Sequence, residues 1–145
     1  EVVMETDPLD LDALREDGRA EPEAPAETRI GHFHLEVTDL EESTAFYRDR
    51  LGLPVSRKIG DMARFFATGD AHHHLGLTNY LGRTDPATGQ GIDWIEFLLP
   101  DETALDAVRA RFADEYEPVE DGSGGIELAD PDGIGVRVGV DDERE

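Results

Sequence analysis

Residues 30–53 read IGHFHLEVTDLEESTAFYRDRLGL, and their period changes midway. Over 30–37 apolar and polar residues alternate, with Phe33, Leu35 and Val37 on one face and His32, His34 and Glu36 on the other. Period two marks a strand with one buried face. Asp39 then offers an N-cap, and 41–51 carry Phe46, Tyr47 and Leu51 as an apolar stripe. This predicts a helix, closed by Gly52 as its C′ glycine.

Working outward, short strands are expected at 54–58, 62–67 and 72–78, separated by the turn signals Gly60-Asp61 and Gly69-Asp70. A polar connection runs over 82–91. The order then recurs: a strand at 92–99, and a helix at 102–113 with Leu105, Val108 and Phe112 at helical spacing. Strands follow at 116–119, 124–128 and 134–140, with Asp130-Pro131-Asp132-Gly133 as a turn. The two stretches superpose at one offset of 62, from Ile30 to Ile92, which also aligns His32 with Trp94 and Asp39 with Asp101. A repeat of this kind predicts an α+β chain of paired βαβββ modules, 29–80 and 91–140, curled around a shared cavity. Upstream, 7–17 read as a short acidic helix with Asp7 as N-cap and Gly18 as its end, and 19–28 as a linker. Residues 1–28 are thus expected to be the connector from a further, N-terminal half, and 141–145 a solvated acidic tail.

Charge narrows the function. The 145 residues hold 35 Asp plus Glu against 13 Lys plus Arg, a net charge of −22, and Lys58 is the single lysine. Such a field repels phosphate backbones and anionic lipids, so neither nucleic acid nor membrane is an expected partner. No apolar run approaches the ~20 residues of a membrane-spanning helix. Cysteine is absent, which excludes disulfides, thiolate metal sites and a thiol nucleophile. The acid-rich, almost lysine-free composition looks like that of cytoplasmic proteins from extreme halophiles, which implies a high-salt cytoplasm.

Residues 30–53, 72–79 (HHHLGLTN) and 130–138 (DPDGIGVRV) together resemble the vicinal-oxygen-chelate superfamily, which includes glyoxalase I, bleomycin-resistance proteins and extradiol dioxygenases. Over 29–140 the chain is similar to the C-terminal half of catechol-2,3-dioxygenase-like proteins. The resemblance implies cleavage of a small catechol-type ring by O2 with Fe(II) or Mn(II), and a homodimer. It places His32 at the first metal position and His73 at the acid–base position. Trp94 and Arg137 stand where the second histidine and the glutamate would be, so the usual three-ligand site is incomplete in this chain.

The residues themselves add to this. His32 and His34, two apart on one strand, project the same way and are candidates to share a metal ion; neutral histidines on a polar face are the alternative. All five histidines lie in 32–34 and 72–74. Alternation with Leu75 and Leu77 puts His72 and His74 on the cavity face, whereas the resemblance favours His73. Trp94 suits stacking on a planar substrate, or else fills the seam between modules. Arg137 suits an anionic group or an internal ion pair with Glu36 or Glu96. Substrate contacts are therefore expected from Trp94, Arg137 and His74. The rival functions are a non-catalytic binding or architectural half, and a glyoxalase-type lyase.

Overall fold

The computed structural model describes residues 8–18, 25–113, 115–119 and 123–141, in two compact units, Glu1–Gly31 and His32–Glu145. The first unit holds α1 (Leu11–Asp17), none of whose residues is buried. Its N-cap is Asp10, whose carboxylate accepts from the backbone N–H groups of Asp12 and Ala13 at 3.1 and 3.0 Å. The helix expected from position 7 is therefore shorter. The chain enters helical geometry where a side chain first reaches the orphan donors, and that side chain is Asp10. Position 7 itself lies outside the described residues, as do 19–24 of the expected linker.

The second unit repeats one pattern. β1 (Phe33–Glu36) leads through α2 (Leu40–Ala45) to β2 (Val55–Ile59), β3 (Ala63–Phe66) and β4 (Leu75–Thr78), in the sheet order β1-β4-β3-β2. β5 (Trp94–Leu99) leads through α3 (Glu102–Phe112) to β6 (Glu117–Pro118), β7 (Ile126–Ala129) and β8 (Gly135–Val140), in the order β5-β8-β7-β6. In each sheet the first and last strands pair parallel and the remaining pairs are antiparallel. These are two four-stranded mixed sheets, each with a helix on one face, as the repeat required. Asp39 caps α2 through the N–H groups of Glu41 and Glu42, and Asp101 caps α3 through that of Ala104.

The helix expected over 41–51 starts at Leu40 and widens after Ala45 into a π-type turn, Phe46–Arg50. Leu51 N–H bonds to Phe46 C=O, five residues back. That spacing brings Phe46 and Leu51 to the same buried face, which the 3.6-residue period would not. The core then runs through both modules without a break. Phe46 meets Phe112 of α3 at 5.6 Å and Tyr47 meets Phe97 of β5 at 6.5 Å between ring centroids, over Leu35, Leu75, Leu77, Ile95, Val136 and Val138. Polar contacts cross the same boundary, among them an Arg50–Glu115 ion pair and bonds from Arg111 to the Arg50 and Leu51 carbonyls. The Tyr47 hydroxyl donates to buried Asp130 at 2.9 Å, and Thr38 N–H bonds to the Asp132 carboxylate at 3.2 Å.

The strand expected over 72–78 begins only at Leu75, and 72–74 form bends before it. His74 still exchanges backbone bonds with Phe66 and Phe33, but the bends at His72 and His74 break the alternation that put both on the cavity face.

Candidate functional site

β1 turns His34 and Glu36 to the open face of its sheet, opposite the core, and His32 precedes it. Across the sheet His34 stands level with Gly76 of β4, which stands level with Phe65 of β3. The missing side chain at 76 makes room, for a Cβ there would lie 2.7 Å from Cδ2 and 2.9 Å from Nε2 of His34. Phe65 forms the floor, buried, with its ring 5.8 Å from that of His34. His73, from the bend before β4, closes the group. Its ring centroid lies 4.2 Å from that of His32 and 5.0 Å from that of Phe65. One nitrogen from each of His32, His34 and His73 lies within 4.8 Å of the others, and Nε2 of His34 faces Nε2 of His73 at 3.1 Å.

The His34–His73 distance suits a shared cation. Two nitrogens bound to one ion at about 2.1 Å, with roughly 90–110° between them, stand about 3.0–3.4 Å apart. The protonation states agree. Burial, and then the charges of His32, His72, His34 and His74, holds His73 down to about 4. His34 is lowered by burial and by His32. Both shifts favour the neutral ring, the form that carries a lone pair. Nδ1 of His73 also pairs with Nδ1 of His72. With His73 as the donor of that bond, its Nε2 lone pair faces His34. Glu36 lies outside this group, and its oxygens accept from Leu81 N–H at 2.7 Å and the Thr78 hydroxyl at 2.8 Å. A set of imidazole nitrogens suits iron or zinc better than manganese, which favours oxygen ligands.

The other expected site residues lie elsewhere. His74 turns away, its Nε2 3.4 Å from the Thr68 hydroxyl, and lines an apolar cavity of about 410 Å³ with Phe66, Phe97 and Leu99. Trp94 and Arg137 line a separate cavity of about 620 Å³ on the open face of the second sheet. Trp94 is 49% exposed, so it does not fill the seam between modules. The Arg137 guanidinium lies 4.5 Å over the indole, and its Nε donates to Glu127 at 2.9 Å. The ion pair expected with Glu36 or Glu96 is thus made with Glu127. Glu127 stands level with Arg137 on β7, whereas Glu36 is held by its own donors on the other sheet. The site residues expected around one shared cavity are thus distributed over separate surfaces. Gly76 and Phe65 escaped the sequence reading. The one signal for them was a glycine on the polar side of LGLT.

A family model described as the Glyoxalase/Bleomycin resistance protein/Dioxygenase superfamily matches residues 29–138. A catechol-2,3-dioxygenase of Bacillus subtilis is 36% identical over 135 residues, covering 89% of this chain and 47% of that protein, so the chain spans about half that relative's length. Among solved structures, a lactoylglutathione lyase from Agrobacterium tumefaciens is 26% identical with a TM-score of 0.59, over 80% of this chain and 96% of that one. A glyoxalase/dioxygenase from Nostoc punctiforme shares the fold with a TM-score of 0.66 at 20% identity, over 86% and 99% of the two chains.

Proposed function

The chain belongs to the glyoxalase/bleomycin resistance protein/dioxygenase superfamily, and on that premise we propose that it is part of a metal-dependent extradiol dioxygenase acting on a catechol-type ring. The observation that carries the reading is the meeting of three imidazole nitrogens at His32, His34 and His73. The catechol-2,3-dioxygenase relative supports the choice of reaction. A bound Fe(II) ion, or Mn(II), would chelate the two vicinal oxygens of the ring and lower the pKa of the hydroxyl that it meets.

His32, His34 and His73 hold that ion in this reading, and His72 keeps the Nε2 of His73 aimed at it. The resemblance gave His73 the acid–base task. A ring held down to about 4 is a weak base at neutral pH but a ready neutral ligand. Its place beside His34 therefore favours ligation. Phe65 excludes water from the underside of the cluster. A further half, completing the length of the relative, and a homodimer belong to the same proposal, as does a high-salt cytoplasmic setting.

A glyoxalase-type lyase is the second reading, favoured by the Agrobacterium lyase structure. One experiment separates the readings. The anaerobically Fe(II)-loaded protein should take up one O2 per catechol opened, and His32→Ala should lose both metal and oxygen uptake. His72→Ala should weaken metal binding only about tenfold, as loss of an orienting partner does. Isomerisation of a hemithioacetal without O2 uptake would establish the lyase. Unchanged metal affinity in His32→Ala would remove this site from either mechanism.

A further inference from the structure

The apolar cavity beside His74, of about 410 Å³, stands apart from the imidazole cluster, none of whose three histidines lines it. Of the whole chain 33% is charged, yet among the described residues no Asp, Glu, Lys or Arg lines this cavity. Two larger cavities differ. That of about 620 Å³ has Asp93, Glu115, Glu117 and Glu127 in its wall, and one of about 440 Å³ has Glu36, Asp93 and Asp132. An ion entering the apolar cavity would give up its water and meet no charged side chain in return. Its occupant has to be neutral.

The wall says more about that occupant. Phe66, Val108 and Val138, all buried, come from both modules and form its inner side, with Phe97 beside them. Protein interiors leave few voids larger than a water molecule, and an empty one forfeits the contacts of its lining atoms. A cavity of this size with an aromatic and aliphatic wall fits a small apolar body such as an alkylated ring. Its polar groups are exposed residues, so they lie toward the mouth. They are the Thr68 hydroxyl and Nε2 of His74, 3.4 Å apart, longer than an ordinary hydrogen bond. A hydroxyl group both donates and accepts. Placed between the two, it satisfies both, whichever ring nitrogen of His74 carries the proton.

We propose that this cavity is a second small-molecule site, which takes a neutral, hydroxylated alkyl-aromatic compound with its ring against Phe66 and Phe97 and its hydroxyl between Thr68 and His74. The site does not depend on the metal-site reading. The test is calorimetric titration with 4-propylphenol, propylbenzene and 4-propylbenzoate, with and without a metal chelator, in the wild type and in Thr68→Val. Circular dichroism verifies that the variant is folded. The wild type should bind one 4-propylphenol per chain in either condition, at least about tenfold more tightly than 4-propylbenzoate. Thr68→Val keeps the shape and removes the hydroxyl; it should weaken 4-propylphenol about five- to tenfold and leave propylbenzene unchanged. In the wild type the methyl resonances of Val108 and Val138 should shift as 4-propylphenol is added. Absence of saturable binding, as when a segment of this chain or a second copy fills the cavity, overturns the proposal. So do equal affinities for the phenol and the benzoate, equal effects of Thr68→Val on both neutral ligands, or unmoved valine methyls. Binding that the chelator abolishes would place the phenol on the imidazole cluster and overturn it as well.

Discussion

A methyl group at position 76 would stand 2.7 Å from the ring of His34, closer than a Cβ atom is found to any neighbour. The backbone of β4 is extended there and accepts alanine readily, so the conflict falls on the imidazole, which lies on the open face. Gly76→Ala should therefore push the His34 ring away from His73 and weaken binding of Fe(II) or Co(II) at least about tenfold, whereas overpacking costs stability about 1–3 kcal/mol. Gly139→Ala is the control, since the nearest atom to its new methyl lies 3.7 Å away. Calorimetric titration of the three proteins decides, and equal affinities would show that the ring tolerates the methyl. The residues of the cluster were unequally legible in sequence. His32 and His34 are read from the alternation of one strand. The position of His73 is set by a bend, to which no period applies. Phe65 is an aromatic in a run of four buried residues, ARFF, where neither face can be told from the other.

Elements were more legible than sites because caps and turns are local chemistry. Asp39 and Asp101, 62 apart, each place a carboxylate against the first N–H groups of a helix, and both helices begin where these residues imply. Gly60 and Gly69 turn the chain with φ of 48° and 61°, as their pairing with aspartate suggests. What local chemistry does not contain is the contact between modules, and Tyr47 shows its form. Its side chain is wholly buried, and its hydroxyl crosses to Asp130, where burial raises the pKa of the carboxyl. Asp130 keeps its bonds to the N–H groups of Asp132 and Ile134 at Oδ1, so Oδ2 depends on Tyr47. Tyr47→Phe should lower stability by about 1–3 kcal/mol, the cost of leaving a buried acceptor unmatched, with no change in the denaturant slope. A midpoint equal to that of the wild type would mean that water replaces the hydroxyl.

For the molecule as a whole, the dominant effect readable from composition is self-repulsion. Thirty-five acids against thirteen bases crowd one small surface, and the Debye length of ~8 Å at physiological ionic strength screens neighbouring charges only in part. At molar salt it falls to ~3 Å, and the extended unfolded chain has less repulsion to lose. The melting temperature should rise steeply between low salt and about 2 M KCl, with NaCl similar; a rise continuing far beyond would reflect salt exclusion. A flat or falling curve in a thermal-denaturation series would show that the acidic surface is no adaptation to salt. The strand order has a different consequence, one of timing. In each module the first strand made is the partner of the last, so β1 emerges from the ribosome without its neighbour and waits through about forty residues for β4. His34 and His73 meet only at that closure. The imidazole cluster is thus completed by the slowest, most non-local pairing of the first module, and its formation would date that step during synthesis.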